Sequence, residues 1–229
     1  MKKLVLITLV VLAALSTTAV IFFGPPPEKV YVINTEGQPT VGYVGAPVHV
    51  VIFEEPKCVT CKHFNDDIFP MIRDDYILTH KVLYTVIPVS FLPGSLPAAT
   101  ALWCVYNQDG SFGSDALFFT YLDYMYHNQP DESDDWATLP TLLQMARRAS
   151  PSIDTRKLSS CIRAETYKYE ILENTNYGQQ LLGGHLTTPT VFVNGVIADH
   201  GSKGEMKEAI EKALKAHEAG YVRFAAEGR

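Results

Sequence analysis

Apolar residues fall along this chain in three kinds of run, and each predicts a different element. The first is unbroken: Leu4 to Phe23 carries no charge over 20 residues and follows Met1-Lys2-Lys3. At about 1.5 Å per residue, a helix of that length spans roughly 30 Å, the thickness of a bilayer core. The apolar part of a cleaved signal is shorter, about 7–15 residues. Ser16-Thr17-Thr18-Ala19, however, offers the small residues at which a signal peptidase cuts. Residues 1–28 are therefore read as a membrane anchor or a cleaved signal peptide. Both put the remainder outside the cytoplasm, with Lys2 and Lys3 staying inside. Gly24-Pro25-Pro26-Pro27 forms a stiff exit.

The second kind of run is short, continuous and β-branched. Val48 to Phe53 and Val82 to Ile87 read as buried strands, the latter closed by Pro88. Val30-Tyr31-Val32-Ile33 reads as a short first strand, and Gly37 to Pro47 as a loop. The third kind recurs every three or four residues. Phe64, Ile68 and Ile72 place a helix after the first buried strand, which Pro70 is expected to kink or end. Ala98, Ala101, Leu102 and Val105 mark a helix within Pro97 to Gln108, and Asp115 to His127 is aromatic and helical in character. Leu139, Leu142, Leu143 and Ala146 mark another, and Leu158, Cys161 and Ile162 a further one behind an Asp154 N-cap. Between them, Asp131-Glu132-Ser133-Asp134-Asp135 reads as a solvated acidic turn.

The tail returns to strands. Thr190 to Asn194 and Val196 to Ala198 flank an Asn194-Gly195 hairpin turn. Ser202 and Glu205 form a capping box for a helix carrying Met206, Ile210, Ala213 and Leu214, with Gly220 as its stop. Near-continuous apolar strands alternating with helices predict an α/β fold whose sheet is covered on both faces. Residues 29–94 and 186–229 are expected to form one domain, and 95–185 a helical subdomain inserted between its strands.

Composition narrows the function. Apolar residues make up 47% and charged residues 19%, which describes a globular chain. A net charge of −6 without a basic cluster argues against nucleic acid as a partner. Four cysteines are too few to scaffold a mini-fold, and 229 residues do not need one.

Two of those cysteines carry the candidate chemistry. Cys58-Val59-Thr60-Cys61 sits where the first buried strand gives way to a helix, and Thr188-Pro189 opens a later strand. A Cys-x-x-Cys at such a junction, with a later Thr-Pro, is the pattern of a thioredoxin-type dithiol. Cys58 would lie at the first helical turn, where unpaired N–H groups favour its thiolate. It is the expected nucleophile and leaving group; Cys61, one turn in and more buried, resolves the mixed disulfide. Val59 and Thr60 carry no charge, Lys57 could assist the thiolate, and Glu54 and Glu55 could oppose it. If the Thr188-Pro189 bond is cis, it projects the Thr188 backbone toward the sulfurs, where an extended substrate peptide could pair with it.

Other readings of the pair remain open. A single Cys-x-x-Cys is half of a zinc site, but Cys104 and Cys161 stand 57 residues apart and lack the spacing of a second half. Copper handling with His185, and an inert disulfide, are further alternatives. His63 reads as a solvent-facing helix residue. Cys104 and Cys161 could be buried free thiols, although in an oxidising compartment an even count favours a structural disulfide clamping the insert.

These segments resemble the DsbA-like branch of the thioredoxin superfamily, in particular its membrane-tethered members in bacterial envelopes. Phe53 to Phe64 is similar to that family's active-site segment. Phe69-Pro70 with Tyr76, leading into Lys81-Val82, resembles its first helix and next strand. Ala98-Ala99-Thr100-Ala101 through Cys104 and Gln108 is similar to the first helix of its insert, and Thr188 to Gly195 to its cis-proline strand. The resemblance covers nearly everything after about residue 40. It implies a thioredoxin fold with a helical insert, Cys58 as nucleophile, and Thr188 and Pro189 as the substrate-side loop. It also implies disulfide exchange with unfolded or secreted proteins, recycling by a membrane redox partner, and no cofactor beyond the redox-active disulfide. Much of that family has Pro after the first cysteine and its strong oxidases often have His before the second. Val59 and Thr60 stand in those places, so isomerase and reductase activities are carried beside oxidase activity, and a tethered chaperone or metal-handling module beside all three.

Overall fold

The computed structural model describes residues 28–110 and 113–220. The expected anchor or signal lies outside the described residues, among which no helix is long and apolar enough to cross a membrane.

The sheet is built around β2 (Val48–Glu54), whose side chains are buried on both faces except for a half-buried His49. Val50 and Ile52 point into the main core, while Val51 and Phe53 join Ile87, Val89 and Phe192 in a second one. Alternate residues of a strand face opposite ways, so this continuous apolar run needs cover on both sides. β3 (Val82–Pro88) runs parallel to β2, with Ile52 opposite Val86. β4 (Thr190–Val193) lies antiparallel on the other edge of β2, with Ile52 opposite Val191. β1 (Thr40–Gly42) pairs antiparallel with β3, and β5 (Val196–Ile197) with β4. The resulting order is β1-β3-β2-β4-β5.

Residues 30–33 do not form the expected strand. Tyr31 N–H donates to Gly195 O at 2.8 Å and the Tyr31 ring meets Phe192 edge-on, but no strand ladder develops and Val32 stays exposed. The first strand lies instead at Thr40–Gly42, inside the stretch expected to be loop. The Asn194-Gly195 turn forms as expected, both residues having positive φ.

Parallel neighbours need a crossover. Here it is a helical run from Val59 to Ile77: α1 (Val59–His63), a π turn (Phe64–Ile68), α2 (Phe69–Ile72) and a second π turn (Arg73–Ile77). Pro70 does not end this run. It occupies the first turn of α2, where its missing N–H matters least, and the wider π turn just before it takes up the misfit. Phe64, Ile68 and Ile72 all face the core.

Between β3 and β4 come five helices: α3 (Leu96–Tyr106), α4 (Asp115–His127), α5 (Leu139–Ala149), α6 (Thr155–Arg163) and α7 (Lys168–Leu181). The Asp154 carboxylate caps α6, accepting from Arg156 N and Lys157 N. α7 has no counterpart in the sequence-based expectations. Its buried face carries Ile171, Asn174, Thr175 and Gly178, so apolar periodicity is weak. Asn174 Nδ2 donates to Pro88 O, and Ser90 N–H donates to Thr175 Oγ1. A Cβ on Gly178 would lie 3.0 Å from both Leu186 and the Phe53 ring, so any larger residue there would require one of those side chains to give way by a few tenths of an ångström. Last, α8 (Lys203–Glu218) is capped by Ser202, which accepts from Glu205 N, and buries Met206 and Ile210.

Cys104 on α3 and Cys161 on α6 are joined by a disulfide with Cα atoms 6.0 Å apart across 57 residues. Closing a loop of that length restricts the unfolded chain and is worth about 4 kcal/mol in the chain-entropy account. Cys104→Ala/Cys161→Ala protein is expected to unfold at markedly lower urea, losing up to about 4 kcal/mol. A midpoint within error of the parent would contradict this clamping role.

Candidate active site

Cys58 is the residue before the first turn of α1, in extended conformation, and its carbonyl accepts from Lys62 N–H. Its side chain does not cap the helix. Cys58 keeps 8% of its surface and Cys61 none, so of the two sulfurs only that of Cys58 can meet an incoming group. Both are free thiols here.

The Thr188-Pro189 bond is cis. The Thr188 carbonyl lies 3.3 Å from Cys58 Sγ and accepts the Thr60 hydroxyl at 2.9 Å. Thr60 Oγ1 is also 2.9 Å from Cys58 Sγ. As a thiol, Cys58 donates to the Thr188 carbonyl; once it is ionised, the one Thr60 hydroxyl hydrogen stands between two acceptors, the sulfur and that carbonyl. The sequence gives no sign of this role, since Thr60 carries no charge and its partner lies 128 residues away.

The two cysteines differ in acidity. The Cys61 thiol, donating to Cys58, is the largest influence drawing Cys58 down to about 5. Burial opposes it, and hydrogen bonds involving Thr188 and Thr60 add to it. Cys61 moves the other way, well above the usual thiol range. Burial is the main cause, followed by its bond to Cys58 and the charges of Glu54 and Cys58. At neutral pH the reduced pair thus holds one thiolate and one thiol.

Two acids sit close to it. Burial raises Glu54 to about 8, against a Tyr126 hydroxyl 3.4 Å away, and the Cys58 charge raises it further. Burial likewise raises Glu55 to about 7. Glu55 Oε2 accepts from Lys57 N at 2.8 Å, while Oε1 is buried without a partner among the described residues. Lys57 does not assist the thiolate as expected. Its ammonium is turned away, donating to Pro93 O and Asp134 O.

His63 is exposed, as is His185. Cys104 and Cys161 are bonded to each other and take no part. Among the described residues, no group of three or more His, Cys, Asp or Glu side chains is placed to hold a metal.

The sign of the pH dependence follows from these shifts. The folded value of Cys58 lies below the unfolded one. Its thiolate therefore stabilises the reduced fold fully above the ordinary thiol range, and that contribution is lost as pH falls through about 5. The raised acids act oppositely: their contribution is present below the ordinary carboxyl range and is lost as pH rises through about 7 for Glu55 and about 8 for Glu54. In the reduced protein, ultraviolet thiolate absorbance is expected to titrate with a midpoint of about 5. Thr60→Val should move that midpoint toward an ordinary thiol; an unmoved midpoint would show that the hydroxyl does not bear on the sulfur.

The family model described as Thioredoxin matches residues 34–212. Disulfide bond formation protein D of Bacillus subtilis is 34% identical over 184 residues, covering 80% of this chain and 79% of that protein. The crystal structure of Chlamydia trachomatis DsbA superposes with a TM-score of 0.74 at 29% identity, covering 82% of this chain and 98% of that one. Oxidised BdbD from Bacillus subtilis gives 0.73 at 31% identity, with the same coverage.

Proposed function

We propose, because the chain belongs to the thioredoxin family and is a protein thiol–disulfide oxidoreductase, that it works as an oxidase, forming disulfides in exported proteins through Cys58 and Cys61. The observation that carries this direction is the depressed pKa of Cys58 beside a raised Cys61. A stabilised thiolate stabilises the reduced state, and a couple whose reduced state is favoured takes electrons from other dithiols.

The steps balance as follows. A substrate thiolate attacks Cys58 Sγ of the Cys58–Cys61 disulfide, and Cys61 leaves and takes up a proton. The mixed disulfide then holds the substrate sulfur on Cys58. The second substrate thiolate attacks the substrate sulfur, and Cys58 departs as a thiolate. Two electrons have moved to the pair, and the substrate carries a new disulfide. A low pKa makes Cys58 the better leaving group in that last step. The backbone of Thr188 and Pro189 borders the sulfur and is suited to pair with an extended substrate segment.

The cycle needs a partner that removes the two electrons, and we assign this to a membrane redox protein. The apolar run of residues 4–23 would hold the chain at the bacterial inner membrane, facing the envelope, or direct its export there. Support for this setting comes from the charge-free run itself and from the disulfide between Cys104 and Cys161, since structural disulfides persist in oxidising compartments.

Cys58→Ser is expected to abolish disulfide transfer to a reduced, unfolded test protein. Cys61→Ser, offered a protein that already carries a disulfide, should accumulate a mixed disulfide through Cys58, one substrate sulfur leaving as a thiolate and no resolving thiol remaining to release the other. Acid quenching followed by thiol alkylation in cells should find Cys58 and Cys61 mainly oxidised. A mainly reduced pair would instead favour isomerase or reductase work, and full activity in Cys58→Ser would remove this cysteine from the mechanism.

A further inference from the structure

The loop that follows α4 grips the active-site segment almost residue by residue. Gln129 Nε2 donates to Pro56 O at 2.6 Å. Lys57 Nζ donates to Asp134 O at 2.9 Å. Val59 N–H donates to Glu132 Oε2 at 2.7 Å. The residues on either side of Cys58 are thus both tied to one acidic loop, 73 to 77 residues away in sequence. That loop is more than the solvated turn its composition predicts.

Glu132 has a particular place in this arrangement. α1 has no acidic residue in its own first turn and receives no side-chain cap from Cys58. The carboxylate on the Val59 N–H is therefore the negative charge seated at the helix start, one residue from the sulfur. A helix start favours any anion near it, and two anions there compete. Neither nearby ammonium is bonded to Glu132 or to the sulfur. Lys57 is engaged by Pro93 O and Asp134 O, and Lys62 by Asp66 and the Tyr126 carbonyl. Glu54 and Glu55 lie buried next to the pair, while on the loop itself Asp131, whose carboxylate accepts from Ser133, and Asp134 and Asp135 are exposed. A charge on Glu132 opposes the Cys58 thiolate but has nothing to oppose in the disulfide. Its effect therefore falls on one redox state alone.

We propose that Glu132 is a positioning residue that moderates the dithiol: its carboxylate, held on the Val59 N–H, destabilises the reduced state and makes Cys58–Cys61 a milder oxidant than the bare helix start would. This rests on the reading that Cys58 and Cys61 exchange disulfides with substrates.

The test compares the full chain with Glu132→Gln, which keeps an acceptor for the Val59 N–H and drops the charge. Both are equilibrated with reduced and oxidised glutathione at pH 7. The variant is expected to shift about two- to fivefold toward the dithiol, the size of a charge effect at a helix end, which is about 9 to 21 mV. Its Cys58 titration should move to lower pH in parallel, and the urea midpoint of the oxidised form should hardly change. Raising salt from about 0.05 M to about 1 M should shift the parent protein in the same direction and leave the variant much less affected. An unchanged equilibrium in the variant, or a shift toward the disulfide, overturns the proposal. If the variant does not fold, the parent decides: an equilibrium independent of salt overturns it, and a salt-driven shift toward the dithiol supports it. Should Cys58 of the parent titrate as an ordinary thiol, the exchange reading fails and takes this one with it. A normal parent with an unmoved variant overturns this proposal alone.

Discussion

One negative charge held in a nearly closed space organises the centre of this protein. A thiolate with 8% of its residue surface exposed survives only where hydrogen bonds replace the lost water. Cys61 supplies the largest share and Thr60 a smaller one. In supplying it, Cys61 keeps its own proton, and the two nearby carboxyls are discouraged from ionising. The four groups do not titrate independently: a proton gained or lost at one changes the cost of charge at the others.

That arrangement requires segments far apart in sequence to meet within hydrogen-bonding distance. β2 delivers Glu54 and, through the short turn that follows it, Glu55 and Cys58. The loop before β4 brings the Thr188 carbonyl. α4 brings Tyr126, and the loop after it brings Gln129, Glu132 and Asp134. The helices between β3 and β4 therefore do more than cover the sheet. They reach across to hold the backbone on both sides of the nucleophile, so a change in how they pack is felt at the sulfur.

Much of this was legible where the chemistry is local. The Asp154 and Ser202 caps and the Asn194-Gly195 turn each act within a few residues, and each forms as expected; the Cys58 and Cys61 spacing is equally local. Long-range engagements were not legible. Lys57 reads as a helper for the thiolate because its partner carbonyls cannot be seen from its neighbours. Glu132 reads as solvated for the same reason. α7 escaped because it packs through Asn174, Thr175 and Gly178, whose fit depends on hydrogen bonds and close approach rather than on an apolar stripe. Val30 to Ile33 misled in the opposite sense: the β-branched composition is there, but no neighbouring strand offers it a ladder.

The bridge between Cys104 and Cys161 makes the molecule subject to the reaction it performs. Four cysteines can pair in three ways, and only the pairing that joins these two leaves Cys58 and Cys61 to each other. Each newly made copy must acquire one correct crosslink while carrying a second, reactive couple that can capture the wrong sulfur. Its maturation is therefore a sorting problem among its own thiols, and a copy that sorts them wrongly forfeits its clamp and its working couple together.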